Sequence, residues 1–123
     1  DVITYNNIET LMTGAGDDTI EGLGAGGFGN LLIDDSAGGL NDYLDLSGFN
    51  QAQVQSWQSA DHFGTDGLVD SLVIQLDTGD TITLEHYFDN TDADPALSGP
   101  GAGAIETFHF GDGDLTFGDI TYS

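Results

Sequence analysis

Thr13-Gly14-Ala15-Gly16-Asp17-Asp18-Thr19-Ile20-Glu21 decides how this chain is read. Taken as nine positions, it follows Gly-Gly-x-Gly-x-Asp-x-apolar-x, with Thr13 in place of the first glycine. The glycines permit a tight turn that directs backbone carbonyls inward. Asp18 sets an anionic oxygen beside those carbonyls, and Ile20 belongs to a short strand with its side chain buried. Hard oxygen donors on a flexible glycine-rich turn are the donor set that suits calcium.

Two further stretches repeat the pattern. Gly26-Gly27-Phe28-Gly29-Asn30-Leu31-Leu32-Ile33-Asp34 fits it except that Leu31 stands where the aspartate belongs. Ala37-Gly38-Gly39-Leu40-Asn41-Asp42-Tyr43-Leu44-Asp45 is looser, with Asp42 and Leu44 at the acidic and apolar places. Insertions at 22–25 and 35–36 break the register. Gly-Asp clusters also make ordinary turns, but three matches in succession weigh against turns alone.

Charge points the same way. The chain of 123 residues has 22 acidic side chains and no lysine or arginine, for a formal charge of −22. Folding gathers this charge without side-chain cations to offset it, so the compact state repels itself unless ions bind or salt screens it. A solvated, salt-adapted acidic surface is the plainer reading of the same numbers. Nucleic acid and anionic membranes are excluded as partners because both need a basic patch. Cysteine is absent, so bound metal takes the place of a disulfide as the staple. No apolar run reaches membrane-spanning length, and none has the pattern of a signal peptide. The first residue is Asp1, and the expectation is a piece of a longer protein.

The rest of the chain reads as follows. Residues 1–12 carry strand formers around an Asn-Asn turn, with Ile8 and Leu11 expected beneath Ile20. Gln51-Ala52-Gln53-Val54-Gln55-Ser56-Trp57-Gln58 has good helix formers behind a Ser47 or Asn50 cap, which predicts a short helix anchored by Trp57. Residues 68–84 predict a β-hairpin turning at Asp77-Thr78-Gly79-Asp80. Residues 89–104 read as a polar loop, and 105–110 as a strand that Gly111-Asp112-Gly113-Asp114 turns into 115–117.

The nonapeptides, followed by Asp42-Tyr43-Leu44-Asp45-Leu46-Ser47-Gly48-Phe49, Gly79-Asp80-Thr81-Ile82-Thr83-Leu84 and Ile105-Glu106-Thr107-Phe108-His109-Phe110-Gly111-Asp112-Gly113, resemble haemolysin-type (RTX) proteins over most of the chain. That resemblance implies a mostly β fold: a short calcium-binding parallel β-roll capped by a short helix and an antiparallel hairpin unit. Residues 1–46 would form the degenerate roll, 47–60 the helix, and 61–123 the hairpin cap, all in one domain. In such a roll successive nonapeptides turn on opposite sides. Asp18 and Asp42 would then face one inter-turn calcium ion with the carbonyls of Gly14, Gly16, Gly38 and Leu40. A weaker site is expected near Glu9 and Asp34, and another in the acidic loop of Asp61, Asp66 and Asp70. The resemblance also implies type I secretion from a Gram-negative bacterium, with folding outside the cell or at its surface when calcium is met.

Catalysis finds no footing. No serine sits in Gly-x-Ser-x-Gly, and His62, His86 and His109 form no His-Glu-x-x-His zinc motif. Asp89, Asp92 and Asp94 read as a solvated loop, and Asp112 and Asp114 as turn formers. The expected role is a calcium-dependent structural module of a secreted or cell-surface protein. A self-assembling fibre, surface-layer or adhesin subunit is the alternative, prompted by the echo of Asp1-Val2-Ile3-Thr4-Tyr5 in Asp119-Ile120-Thr121-Tyr122. An ancillary module of a secreted hydrolase or epimerase is the third reading. The expected partners are calcium ions, with other copies of the chain or a surface ligand under the alternative.

Overall fold

The computed structural model describes residues 2–4, 10–21, 23–24, 27, 29–34, 41–60, 70–88, 101 and 104–120. They hold ten strands: β1 (Val2–Thr4), β2 (Thr10–Met12), β3 (Thr19–Glu21), β4 (Asn30–Asp34), β5 (Tyr43–Leu46), β6 (Val54–Ala60), β7 (Ser71–Leu76), β8 (Thr81–Glu85), β9 (Thr107–Phe110) and β10 (Gly113–Thr116). Two mixed sheets of five strands result, in the orders β1-β3-β5-β9-β10 and β2-β4-β8-β7-β6. The fold is mostly β. Within each sheet the early strands pair in parallel, and the far side is antiparallel: β9 with β10, and β8 with β7 and then β6.

Strand alternation explains the core. Leu31 and Ile33 of β4, Leu44 and Leu46 of β5, Ile82 and Leu84 of β8, and Phe108 and Phe110 of β9 are all buried, while their neighbours along each strand are less so. Both sheets feed one hydrophobic cluster. Glycines set the turn before β3: Gly14 and Gly16 have φ of +84° and +102°, a region that side-chain-bearing residues rarely adopt.

β1 and β2 do not pair with each other, and the Asn-Asn turn between them lies outside the described residues. β1 joins one sheet beside β3, and β2 joins the other beside β4. Leu11 is buried as expected, and Ile8 lies outside the described residues. The hairpin of β7 and β8 pairs Leu72 with Leu84 and Ile74 with Ile82, and it turns at residues 77–80.

The expected helix at 47–60 is replaced. Gln51–Gln53 makes a single 3₁₀ turn, closed by the Gln53 side chain accepting the Asn50 amide at 2.8 Å. From Val54 onward the chain is β6, antiparallel to β7, with Trp57 opposite Ile74. Helix propensity amounts to only a fraction of a kcal/mol per residue, and a ladder with a core strand outweighs it. Trp57 still anchors the core, as a strand residue: its ring meets Phe108 edge-on at 5.4 Å and Phe110 at 6.2 Å. Gly101 closes the return towards β9, where its amide donates to the Tyr87 carbonyl at 2.8 Å. A Cβ at Gly101 would lie 2.2 Å from the Phe88 carbonyl oxygen, so only glycine fits.

Candidate functional site

Parallel pairing stacks the entry points of three strands. Thr19 of β3 lies opposite Tyr43 of β5, and Tyr43 opposite Thr107 of β9. The residue before each is an acid: Asp18, Asp42 and Glu106. Two of these carboxylates serve the amide at the entry of the strand before them. Asp42 Oδ1 accepts the Asp18 amide at 2.9 Å, and Glu106 Oε2 accepts the Asp42 amide at 2.7 Å. Backbone bonds fix the same spacing: the Asp18 carbonyl accepts the Tyr43 amide at 2.8 Å, and the Asp42 carbonyl accepts the Glu106 and Thr107 amides at 3.1 Å. Asp17 adds a bond at the rim, where its Oδ1 accepts the Asn41 amide at 3.1 Å.

Asp18 and Asp42 are 2% and 1% exposed, so both are out of water, while Glu106 is half-buried. Asp42 Oδ2 is buried and has no hydrogen-bond partner among the described residues. A buried anionic oxygen left so is costly. Burial pushes the Glu106 carboxyl above the usual range, and the charge of Asp42 adds to this, against the lowering bond from the Asp42 amide. Carboxylates stacked in this way need a cation or a proton between them.

The sequence-derived pair Asp18 and Asp42 is thus brought together, beside the turn carrying Gly14 and Gly16. Gly38, Leu40, Glu9, Asp61 and Asp66 lie outside the described residues, as do His62, Asp89, Asp92 and Asp94. Asp34 ends β4, where its carbonyl accepts the Thr13 amide at 3.1 Å. Asp34 lies opposite Met12 of β2. Asp70 is buried at the entry to β7, and its amide and carbonyl tie Ala60 to Phe88. Asp112 accepts the Gln51 amide at 3.0 Å, and Asp114 contacts His109 at 2.5 Å. No group of three His, Asp or Glu side chains converges to hold a metal among the described residues. The column offers its carboxylates in pairs, one pair at each gap between strands.

In the second sheet the middle nonapeptide follows the same rule with a borrowed acid. Leu31 is in the core. Asn30 lies opposite Thr81, which sets Asp80 beside Gly29. Asp80 accepts the Gly29 amide through Oδ1 at 2.8 Å, and through Oδ2 the Gly27 amide at 2.8 Å and the Thr78 hydroxyl at 2.5 Å. Burial raises its pKa, but these three donors outweigh that and hold the carboxyl below the usual range. Both oxygens of Asp80 are satisfied, whereas Asp42 has one spare.

Sequence reading missed Glu106 and the role of Asp80. A signal was present: Asp18-Thr19-Ile20 recurs as Asp80-Thr81-Ile82, and Glu106-Thr107-Phe108 keeps its acid, hydroxyl, apolar order. These features define a two-sheet β domain with acids stacked at strand entries. Comparison with protein-family models, with curated proteins and with solved structures gives no match.

Proposed function

We propose that this chain is a calcium-dependent structural module of the RTX kind, carried by a secreted or cell-surface protein and folding outside the cell when calcium is met. The observation that carries the reading is the buried Asp42 Oδ2, unpartnered among the described residues, in a side chain bonded to the Asp18 amide and in a chain with no lysine or arginine to neutralise it. The donors fit the ion: carboxylate and backbone oxygens alone, on a turn that glycines keep open. The roll-like part of the reading is supported by β1 to β5 alternating between the two sheets and pairing in parallel with the next strand but one. When bound, calcium supplies positive charge between the carboxylates. Asp18 and Asp42 hold it, and the ladder of β3 with β5 sets their spacing.

Extracellular calcium modules typically have Kd of ~10⁻⁴–10⁻³ M. Binding to the folded state alone adds about 2.7 kcal/mol per site at a hundredfold excess of ion over Kd, a large share of the roughly 5–15 kcal/mol that holds an ordinary domain together. Chelator-treated protein titrated with calcium should therefore gain β signal in circular dichroism, with magnesium much less effective. Asp18→Ala should shift the midpoint to higher calcium by at least tenfold, and Asp34→Ala should hardly move it. A β spectrum indifferent to calcium, or equal effects of the two variants, would refute the reading.

A second reading, self-assembly into a fibre or surface layer, is favoured by one observation. β1 and β2 are the outermost strands of their sheets, so each has one unpaired side among the described residues, and Val2 and Met12 are 66% and 75% exposed. Light scattering with and without calcium decides it: assembly requires mass to rise with calcium, and a strict monomer at high calcium rules it out.

A further inference from the structure

We propose that Asp42 and Glu106 form a second cation position, one strand along the column from Asp18 and Asp42, and that it couples ion binding to the docking of β9. This rests on the reading of the column as a calcium site. It goes further by placing a ligand outside the nonapeptides and giving it a separate consequence.

Glu106 stands to Asp42 as Asp42 stands to Asp18: it precedes the paired strand and accepts the neighbour's amide through one oxygen. The 2.7 Å bond from the Asp42 amide to Glu106 Oε2 holds the Glu106 carboxylate beside Asp42. Asp42 Oδ2, in a residue 1% exposed, has no hydrogen-bond donor to meet it among the described residues. Glu106 is half-buried and borders an open cleft of about 370 Å³ that Asn41, Thr107 and Thr116 also line. A hydrated ion can therefore reach Glu106 from solvent, and it must lose part of its water shell to reach Asp42, which is buried and does not line the cleft. Two carboxylates, with backbone carbonyls and retained waters, make a hard oxygen set for a divalent ion.

The position also has a mechanical result. Glu106 leads directly into Phe108 and Phe110, the rings on which Trp57 packs. An ion holding Glu106 to Asp42 fixes the start of β9 against β5, and with it the surroundings of the single tryptophan. Trp57 emission thus reports this position, whereas overall β signal reports both.

Glu106→Gln keeps an oxygen to accept the Asp42 amide and removes only the charge. Calorimetric titration with calcium should find one ion fewer in Glu106→Gln than in the wild type. Its β signal should still respond to calcium, and its Trp57 emission should have lost most of that response. Asp18→Asn should do the reverse, losing an ion while keeping the emission change. Unchanged stoichiometry and emission in Glu106→Gln, alongside normal calcium binding, would overturn the second position and leave the Asp18–Asp42 site intact. Absence of calcium binding in the wild type would instead overturn the whole reading. Glu106→Asp guards against a folding defect. With its charge on a shorter arm, it should keep the stoichiometry at weaker affinity, and loss of the ion there as in Glu106→Gln would count against the proposal.

Discussion

Asp42→Asn is expected to leave the calcium-free domain at least as stable as the wild type, and to forfeit up to roughly 5 kcal/mol of what calcium adds when both of its neighbouring positions are filled. The change of sign follows from the two oxygens of Asp42. Oδ1 accepts the Asp18 amide, and an asparagine carbonyl oxygen can take that role. Oδ2 is buried without a hydrogen-bond partner among the described residues, in a residue whose strand lies between those that Asp18 and Glu106 precede. Without an ion, removing that charge relieves repulsion along the column. With an ion, it removes the ligand shared by two gaps. Thermal melts in chelator and in millimolar calcium give both halves. The wild type should gain on the order of 10–20 °C from calcium and the variant only a small part of that. A variant that is much weaker than the wild type in chelator would mean that the Asp42 carboxylate is a structural acceptor and not an ion ligand.

How much of this was legible depended on whether the deciding contact was local. Asp18 and Asp42 could be paired in advance because the nonapeptide carries its own spacing: glycines fix the turn, the acid follows, and the apolar residue enters the core. The β7–β8 hairpin was legible for the same reason, since its turn and alternation lie within one stretch. The stretch 51–60 was not. Its Gln, Ala and Ser residues favour a helix only weakly, and its strand conformation comes from β7 and from the two phenylalanines beneath Trp57. Glu106 was hidden by distance, since it meets Asp42 only after β6, β7 and β8 have been laid down. Asp80 was hidden by a competing explanation. Thr78-Gly79-Asp80 makes a sound hairpin turn, so nothing in it asked for a second purpose.

That second purpose makes Asp80→Ala the other large effect, and one that calcium should not rescue. The carboxylate joins the turn of the middle nonapeptide to the β7–β8 hairpin through the Gly27 and Gly29 amides and the Thr78 hydroxyl. Bonds to a charged acceptor contribute more than neutral ones, but Gly27 and Gly29 are exposed and water can replace part of what is lost, so about 2–4 kcal/mol is expected. Asp80→Asn should recover little of it, because its amide group would meet a second donor where Asp80 has an oxygen. Acid provides the independent check. The folded-state pKa of Asp80 is depressed, so its contribution is complete above the unfolded carboxylate value near ~4 and is lost as pH falls through the lower folded value. Chemical denaturation of wild type and Asp80→Ala should therefore differ by a constant amount from neutral pH down to roughly pH 4, and the gap should narrow below that. The gap should also be the same in calcium and in chelator. If calcium closed it, the Asp80 entry to β8 would be an ion site too. If it persists, the two sheets use the same acid position differently, one as a fixed clasp of hydrogen bonds and the other as a clasp that closes on an ion.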